Sequence, residues 1–110
     1  MLRGKRVTLR PYKLEDVKRQ HELMANVDLV LPAYASWEPR ALSSAEKGFE
    51  KRQETSWPTD PSTFANFAIE VDGVMVGFID VHPWSVSRRS GTVSFGMAIL
   101  HPDYVGKGYG

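Results

Sequence analysis

The spacing of apolar residues changes period twice along this chain, and each change marks an element. In Arg6-Val7-Thr8-Leu9-Arg10 apolar and polar positions alternate, which predicts a short strand stopped at Pro11. Leu14, Val17, His21 and Met24 then recur at helical spacing, with Glu15 and Asp16 in the first turn, where the helix dipole favours acids. Asn26 to Pro39 breaks the pattern, with prolines at Pro32 and Pro39. Ser43-Ser44-Ala45-Glu46 reads as a capping box that opens a second helix running to about Thr55. Its thin apolar stripe, Ala45 and Phe49, predicts a helix that covers an edge of the core. From Phe64 the period shifts to two. Phe64 to Val71 reads as a strand, Asp72-Gly73 as a two-residue hairpin turn, and Val74 to Val81 as the return strand. Pro83 to Gly91 reads as a polar loop and Thr92 to Leu100 as a further strand. The expected order is β-α-α-β-β-β, an α+β fold with a mostly antiparallel sheet.

The last stretch, Pro102-Asp103-Tyr104-Val105-Gly106-Lys107-Gly108-Tyr109-Gly110, follows the apolar run Val93 to Leu100 and places glycines at alternate positions. Glycine turns tightly and lets successive backbone N–H groups approach an anion with no Cβ in the way, which is the chemistry of a phosphate cradle. Such a nest ordinarily opens a helix whose dipole adds to the attraction. Length and composition fit one small domain: 110 residues, 42% hydrophobic and 25% charged. A net charge of +1 gives no global argument for nucleic acid or membrane. Residues 1–20 are locally basic (Arg3, Lys5, Arg6, Arg10, Lys13, Lys18 and Arg19 against Glu15 and Asp16), which reads as a solvated strand edge and helix face. With no cysteine there is no disulfide, thiolate nucleophile or cysteine metal site, and no metal is expected. No stretch is apolar enough for a signal peptide or membrane span, so the expected location is cytoplasmic.

The order strand, two helices, Asp-Gly hairpin, long strand and Pro-Asp-Tyr-x-Gly-Lys-Gly-Tyr-Gly loop resembles the N-terminal half of the GNAT superfamily of N-acetyltransferases. The opening Gly4-Lys5-Arg6-Val7-Thr8-Leu9-Arg10-Pro11, followed by Glu15-Asp16, is similar to the branch that acetylates ribosomal-protein N-termini. Residues 1–110 are therefore expected to form a partial GNAT domain whose C-terminal half lies outside them. The resemblance implies acetyl-CoA as acyl donor. Its pyrophosphate would rest on the loop Val105, Gly106, Lys107, Gly108, Tyr109 and Gly110, and its pantetheine arm would pair with the backbone of Ala98, Ile99 and Leu100 as an added strand. Val105 stands where the family pattern carries Arg or Gln, so the loop loses a polar side chain and keeps its N–H groups. Lys107 is a candidate for direct phosphate pairing.

The resemblance also implies direct attack of a primary amine on the thioester, with the developing oxyanion held by a backbone N–H near Ile99 or Leu100. Many relatives carry a glutamate base on the hairpin or the third sheet strand; on the third strand that position falls near Phe95, or on Ser94 if a bulge shifts the register by one, and neither is a carboxylate. The candidates for proton transfer are Asp80, His82 and Ser94. Tyr34 and Trp37, between the first two helices, are candidates for the acceptor side, as the family's loop there often lines the acceptor pocket. The alternative reading is a non-catalytic CoA-binding or assembly module. Thr92 to Leu100 would form an open sheet edge, able to recruit a second copy or a complementary chain.

Overall fold

The computed structural model describes residues 2–26, 28, 41–53, 65–87 and 92–110. Five strands form one antiparallel sheet in chain order: β1 (Leu2–Arg3), β2 (Thr8–Pro11), β3 (Ala65–Val71), β4 (Val74–Ser87) and β5 (Thr92–Ile99). Among the described residues two long helices, α1 (Leu14–Met24) and α2 (Leu42–Gln53), lie between β2 and β3 in sequence. This is the expected α+β arrangement. β1 escapes the periodicity reading because two residues are too few to show a period. Among the described residues no helix is long and apolar enough to cross a membrane.

The sheet has two apolar faces. On one, Ala68, Met75 and Leu100 pack with Leu23 of α1, joined by Tyr12, Met24, Phe78 and Ala98. On the other, Ile69, Val71 and Val76 pack with Val7, Leu9, Ile79 and Ile99 and with Tyr104 and Tyr109 of the terminal loop. Complete burial of Ile69 and Val76 contributes roughly 2 kcal/mol for each side chain. α2 reaches this assembly through α1, its buried Phe49 lying 6.2 Å from the Tyr12 ring, so it covers an edge as its thin stripe predicts.

β3 and β4 meet at the predicted two-residue turn, where Asp72 and Gly73 both take positive φ, 49° and 78°, as a type I′ turn requires. A register shift follows at once: Ile69 pairs with Gly77 but Glu70 with Met75, leaving Val76 as an extra residue on β4. The bulge reverses the alternation of β4, so Met75 and Phe78, three residues apart, reach the same face. At Gly77 β5 comes so close that a Cβ would stand 2.1 Å from the Ala98 carbonyl oxygen.

Two boundaries and one helix face differ from expectation. β4 runs through Pro83 to Ser87, where a polar loop was expected from Pro83. The proline is tolerated because, among the described residues, the β3 ladder reaches no further than Val81 and the β5 ladder is interrupted between His82 and Ser87, so no described partner needs its N–H. α2 begins at Leu42, with the Ala41 carbonyl accepting the Ser44 and Ala45 N–H groups, so Ser43 lies inside the first turn and does not cap it. The buried face of α1 is turned from the predicted stripe: Val17 and Leu23 are buried, and Leu14 is 46% exposed.

That rotation follows from charge. Asp16, read as a solvated first-turn acid, is only 4% exposed. Its two carboxylate oxygens accept from Arg10 Nη1 and Nη2 at 2.7 and 2.8 Å, and Oδ2 also accepts the Lys13 N–H at 2.7 Å. Arg10 Nε donates to Glu70 at 2.6 Å, so one guanidinium joins β2, α1 and β3. The hydrogen bonds to Asp16 raise the Arg10 pKa further above its ordinary value against the opposing effect of burial, with Glu70 adding to the rise. The basic N-terminal segment is thus in part an interior ion-pair device.

Two predictions follow from these contacts. Asp16→Asn leaves a part-buried guanidinium short of its main partner and should lower unfolding free energy by about 3 kcal/mol, whereas Glu70→Gln, at a more exposed partner, should cost about 1 kcal/mol. Urea denaturation measures both, and equal losses would refute the ranking. Gly77→Ala must push β5 off β4 and should cost about 3 kcal/mol by the same measurement.

Candidate functional site

The terminal loop is aimed by the way β5 ends. Leu100 and His101 both donate their backbone N–H to the Val76 carbonyl, at 2.8 and 3.1 Å. Two residues opposing one is the bulge pattern, and it turns the chain out of the sheet. His101 then organises the turn: its carbonyl accepts the Tyr104 N–H at 3.0 Å, and its Nδ1 accepts the Asp103 N–H at 3.2 Å. Its ring meets Tyr104 edge-on at 4.9 Å, and Tyr104 lies 5.6 Å from Tyr109. Both tyrosines pack on the Ile69, Val71 and Val76 cluster, so the loop is anchored at both ends by aromatic contact with the sheet.

Between these anchors Gly106 and Gly108 take φ of 74° and 78°. Only glycine holds such values without strain, and alternating the sign of φ turns successive N–H groups toward one concavity. A Cβ built at either glycine meets nothing within 4 Å, so the space above the loop is open to a ligand. The loop residues fit a bound pyrophosphate. Val105 is 38% exposed and supplies no polar support from the loop's own lead position. Lys107 is exposed, and its carbonyl accepts from Arg6 Nη2 at 3.2 Å. The Arg6 guanidinium also lies over the Tyr109 ring, 4.4 Å from its centroid. Sequence reading did not single out Arg6 as a site residue, since no local spacing signals a contact 101 positions away.

Ala98, Ile99 and Leu100 lie where β5, the edge strand among the described residues, leaves the sheet. The expectation of an oxyanion donor at Ile99 or Leu100 divides here. Leu100 N–H is committed to Val76, and strand alternation turns the Ile99 N–H to the open edge. Leu100 is therefore corrected as a donor, because its N–H already has a partner.

The proton-transfer candidates fall in two neighbouring rows across the sheet. Asp80 pairs with Asn66 on one side and Gly96 on the other, and His82 pairs with Ser94. Between the rows Val81 pairs with Phe95, which is 62% exposed. Sequence reading missed Asn66: its Oδ1 is buried without a hydrogen-bond partner, directly across from Asp80. Only strand register could have brought the two together. Tyr34 and Trp37 lie outside the described residues.

Comparison with known proteins locates this geometry. No curated protein matches the chain significantly. Among solved structures, spermidine N-acetyltransferase from Vibrio cholerae in complex with CoA and spermine superposes with a TM-score of 0.72 at 19% identity, over 96% of this chain and 57% of that one. A dodecameric form of the Vibrio cholerae enzyme gives 0.67 at 19% identity, and a probable acetyltransferase gives 0.70 at 18%; each comparison covers 96% of this chain and 56% of the other. The chain thus spans little more than half the length of the structures it matches. The model of the acetyltransferase (GNAT) domain matches residues 6–110, from the strand before Pro11 to the last glycine of the loop, and the chain belongs to that family.

Proposed function

We propose that the protein transfers an acetyl group from acetyl-CoA to a primary amine, with residues 105–110 holding the cofactor's pyrophosphate and the open backbone edge of residues 98–100 holding its pantetheine arm. The observation that carries this is the pair of positive φ angles at Gly106 and Gly108, immediately after the bulge that turns β5 out of the sheet. When bound, acetyl-CoA supplies an acetyl group activated as a thioester. Residues 1–110 are on this reading the cofactor-docking half of a longer GNAT domain, consistent with the 56–57% of the neighbours' length that they cover.

The chain's own groups have distinct tasks. The N–H groups of residues 106–109 bind and orient negative oxygens, and Lys107 adds a cation beside them. Ile99 N–H is the donor placed to stabilise negative charge developing at a carbonyl oxygen on the β5 edge. An ammonium acceptor must lose a proton to attack, and Asp80 is the carboxylate in the row closest to that edge. Asn66 Oδ1, a hydrogen-bond acceptor lacking a partner, would orient the amine beside it. Asp80 would take the first of the two protons the ammonium gives up and release it to solvent; the second would pass to the sulfur as the C–N bond forms and the C–S bond breaks.

The Vibrio cholerae neighbour bound to CoA and spermine makes polyamines the first acceptors to test. The matches support the superfamily and give no support to the ribosomal-protein branch suggested by Gly4 to Pro11. Because the matched neighbours are acetyltransferases, the catalytic reading is preferred to a binding module. The dodecameric neighbour makes assembly of copies the natural comparison, and on the binding-module alternative the β5 edge would be the surface through which they associate.

Calorimetry of the 110-residue chain with CoA tests the cofactor assignment: binding is expected, weakened about tenfold in Gly108→Ala, where a side chain must adopt a φ it disfavours. No heat of binding at millimolar CoA would overturn it. Asp80→Asn should lower the rate of polyamine acetylation about a hundredfold with CoA affinity retained; an unchanged rate would remove Asp80 as the base.

A further inference from the structure

We infer that Arg6 is a positioning residue for the terminal loop: it holds the Lys107–Gly108 peptide in the orientation that turns the Gly108 N–H toward a bound anion. This rests on the reading of that loop as the pyrophosphate site, and deepens it by naming what keeps the site formed.

The argument begins with the peptide plane. In a planar trans peptide the carbonyl of one residue and the N–H of the next point in opposite directions. Arg6 Nη2 donates to the Lys107 carbonyl at 3.2 Å, so that carbonyl faces the Arg6 side and the Gly108 N–H faces away from it. Without a tether this peptide is free to turn over. Gly108 has no Cβ, a Cβ built there meets nothing within 4 Å, and glycine accepts either sign of φ. A flipped peptide would present a carbonyl oxygen to the phosphates in place of a donor.

Arg6 is itself held. It sits in the turn joining β1 and β2, which the Gly4 N–H closes onto the Val7 carbonyl at 2.8 Å. Its guanidinium lies 4.4 Å from the Tyr109 ring centroid, and that ring packs on Tyr104 and the sheet. One side chain therefore engages both residues flanking Gly108: the carbonyl of Lys107 and the ring of Tyr109. Val105, at the loop's own lead position, has no polar group for this task. A planar guanidinium can stack and donate at once, whereas a lysine ammonium offers only a point charge. The device is thus specific to arginine.

The test uses the 110-residue chain and its Arg6→Ala, Arg6→Lys and Tyr109→Leu variants, with nuclear magnetic resonance of the Gly108 amide and calorimetry with CoA. In Arg6→Ala, the Gly108 amide resonance should shift and broaden as its peptide samples both orientations, and the dissociation constant for CoA should rise about tenfold. Arg6→Lys should fail to restore either. Tyr109→Leu, which leaves Arg6 in place and removes its platform, should shift the Gly108 amide in the same direction; it decides the matter if Arg6→Ala does not fold. An unchanged Gly108 amide in the variants overturns the inference, as does full recovery of CoA affinity in Arg6→Lys, which would mean that Arg6 acts only through charge. If the parent chain binds no CoA, the pyrophosphate reading fails, while the amide measurement still decides whether Arg6 holds the peptide.

Discussion

The Val76 carbonyl accepts two backbone N–H groups, and the site depends on that shared bond. Val76 is also the extra residue of the bulge between β3 and β4. The same position thus disturbs one ladder and terminates the next. Its side chain is completely buried against the cluster that Tyr104 and Tyr109 share, which leaves little room for adjustment. Close approach at Gly77 presses β5 against β4 just before the turn. The result is a strand that leaves the sheet at a fixed place and aims the glycine loop back over the apolar face. A phosphate cradle needs N–H groups oriented before the ligand arrives, because ordering them on binding would consume affinity.

Much of this was legible in the residues. Alternation at Val7 to Leu9, the Asp72-Gly73 turn and the long β-rich run before His101 each express a local rule, and each element formed, although β2 begins at Thr8 and carries Pro11 as a paired residue where a stop is expected. The loop was legible for the same reason, since spaced glycines state a backbone requirement directly. The misses share a different cause. Pro83 looks like a strand end because proline lacks a donor, but among the described residues neither neighbouring strand pairs with it. Ser43 looked like a cap because of its side chain, yet the Ala41 carbonyl starts the helix. Whether a local preference prevails depends on which partners the fold brings near, and that information is not local.

The candidate site divides along the same line. Gly106 and Gly108 could be named from sequence because their role is conformational. Asn66 could not, because its significance is an unpartnered oxygen across a strand pair from Asp80, and register alone creates it. Leu100 was misjudged as a donor for a related reason: sequence identifies a backbone N–H but not where its hydrogen bond goes.

Two of the three arginines of the first hairpin show how far non-local demand reshapes a charge pattern. Arg10 and Arg6 lie four residues apart in a segment whose surplus of cations suggested a solvated surface. Each is instead drawn to a distant part of the chain. Arg10 is pulled inward by carboxylates on α1 and β3, where desolvation makes the pairing strong and its loss costly. Arg6 remains exposed, and its contacts with a carbonyl and an aromatic face are individually modest. The difference in burial suits the difference in task. A joint between helix and sheet must persist under all conditions, so it is placed where water cannot compete. A loop that must receive and release a highly charged cofactor needs its peptides biased, not locked. A surface arginine resting on a tyrosine supplies a bias of that size.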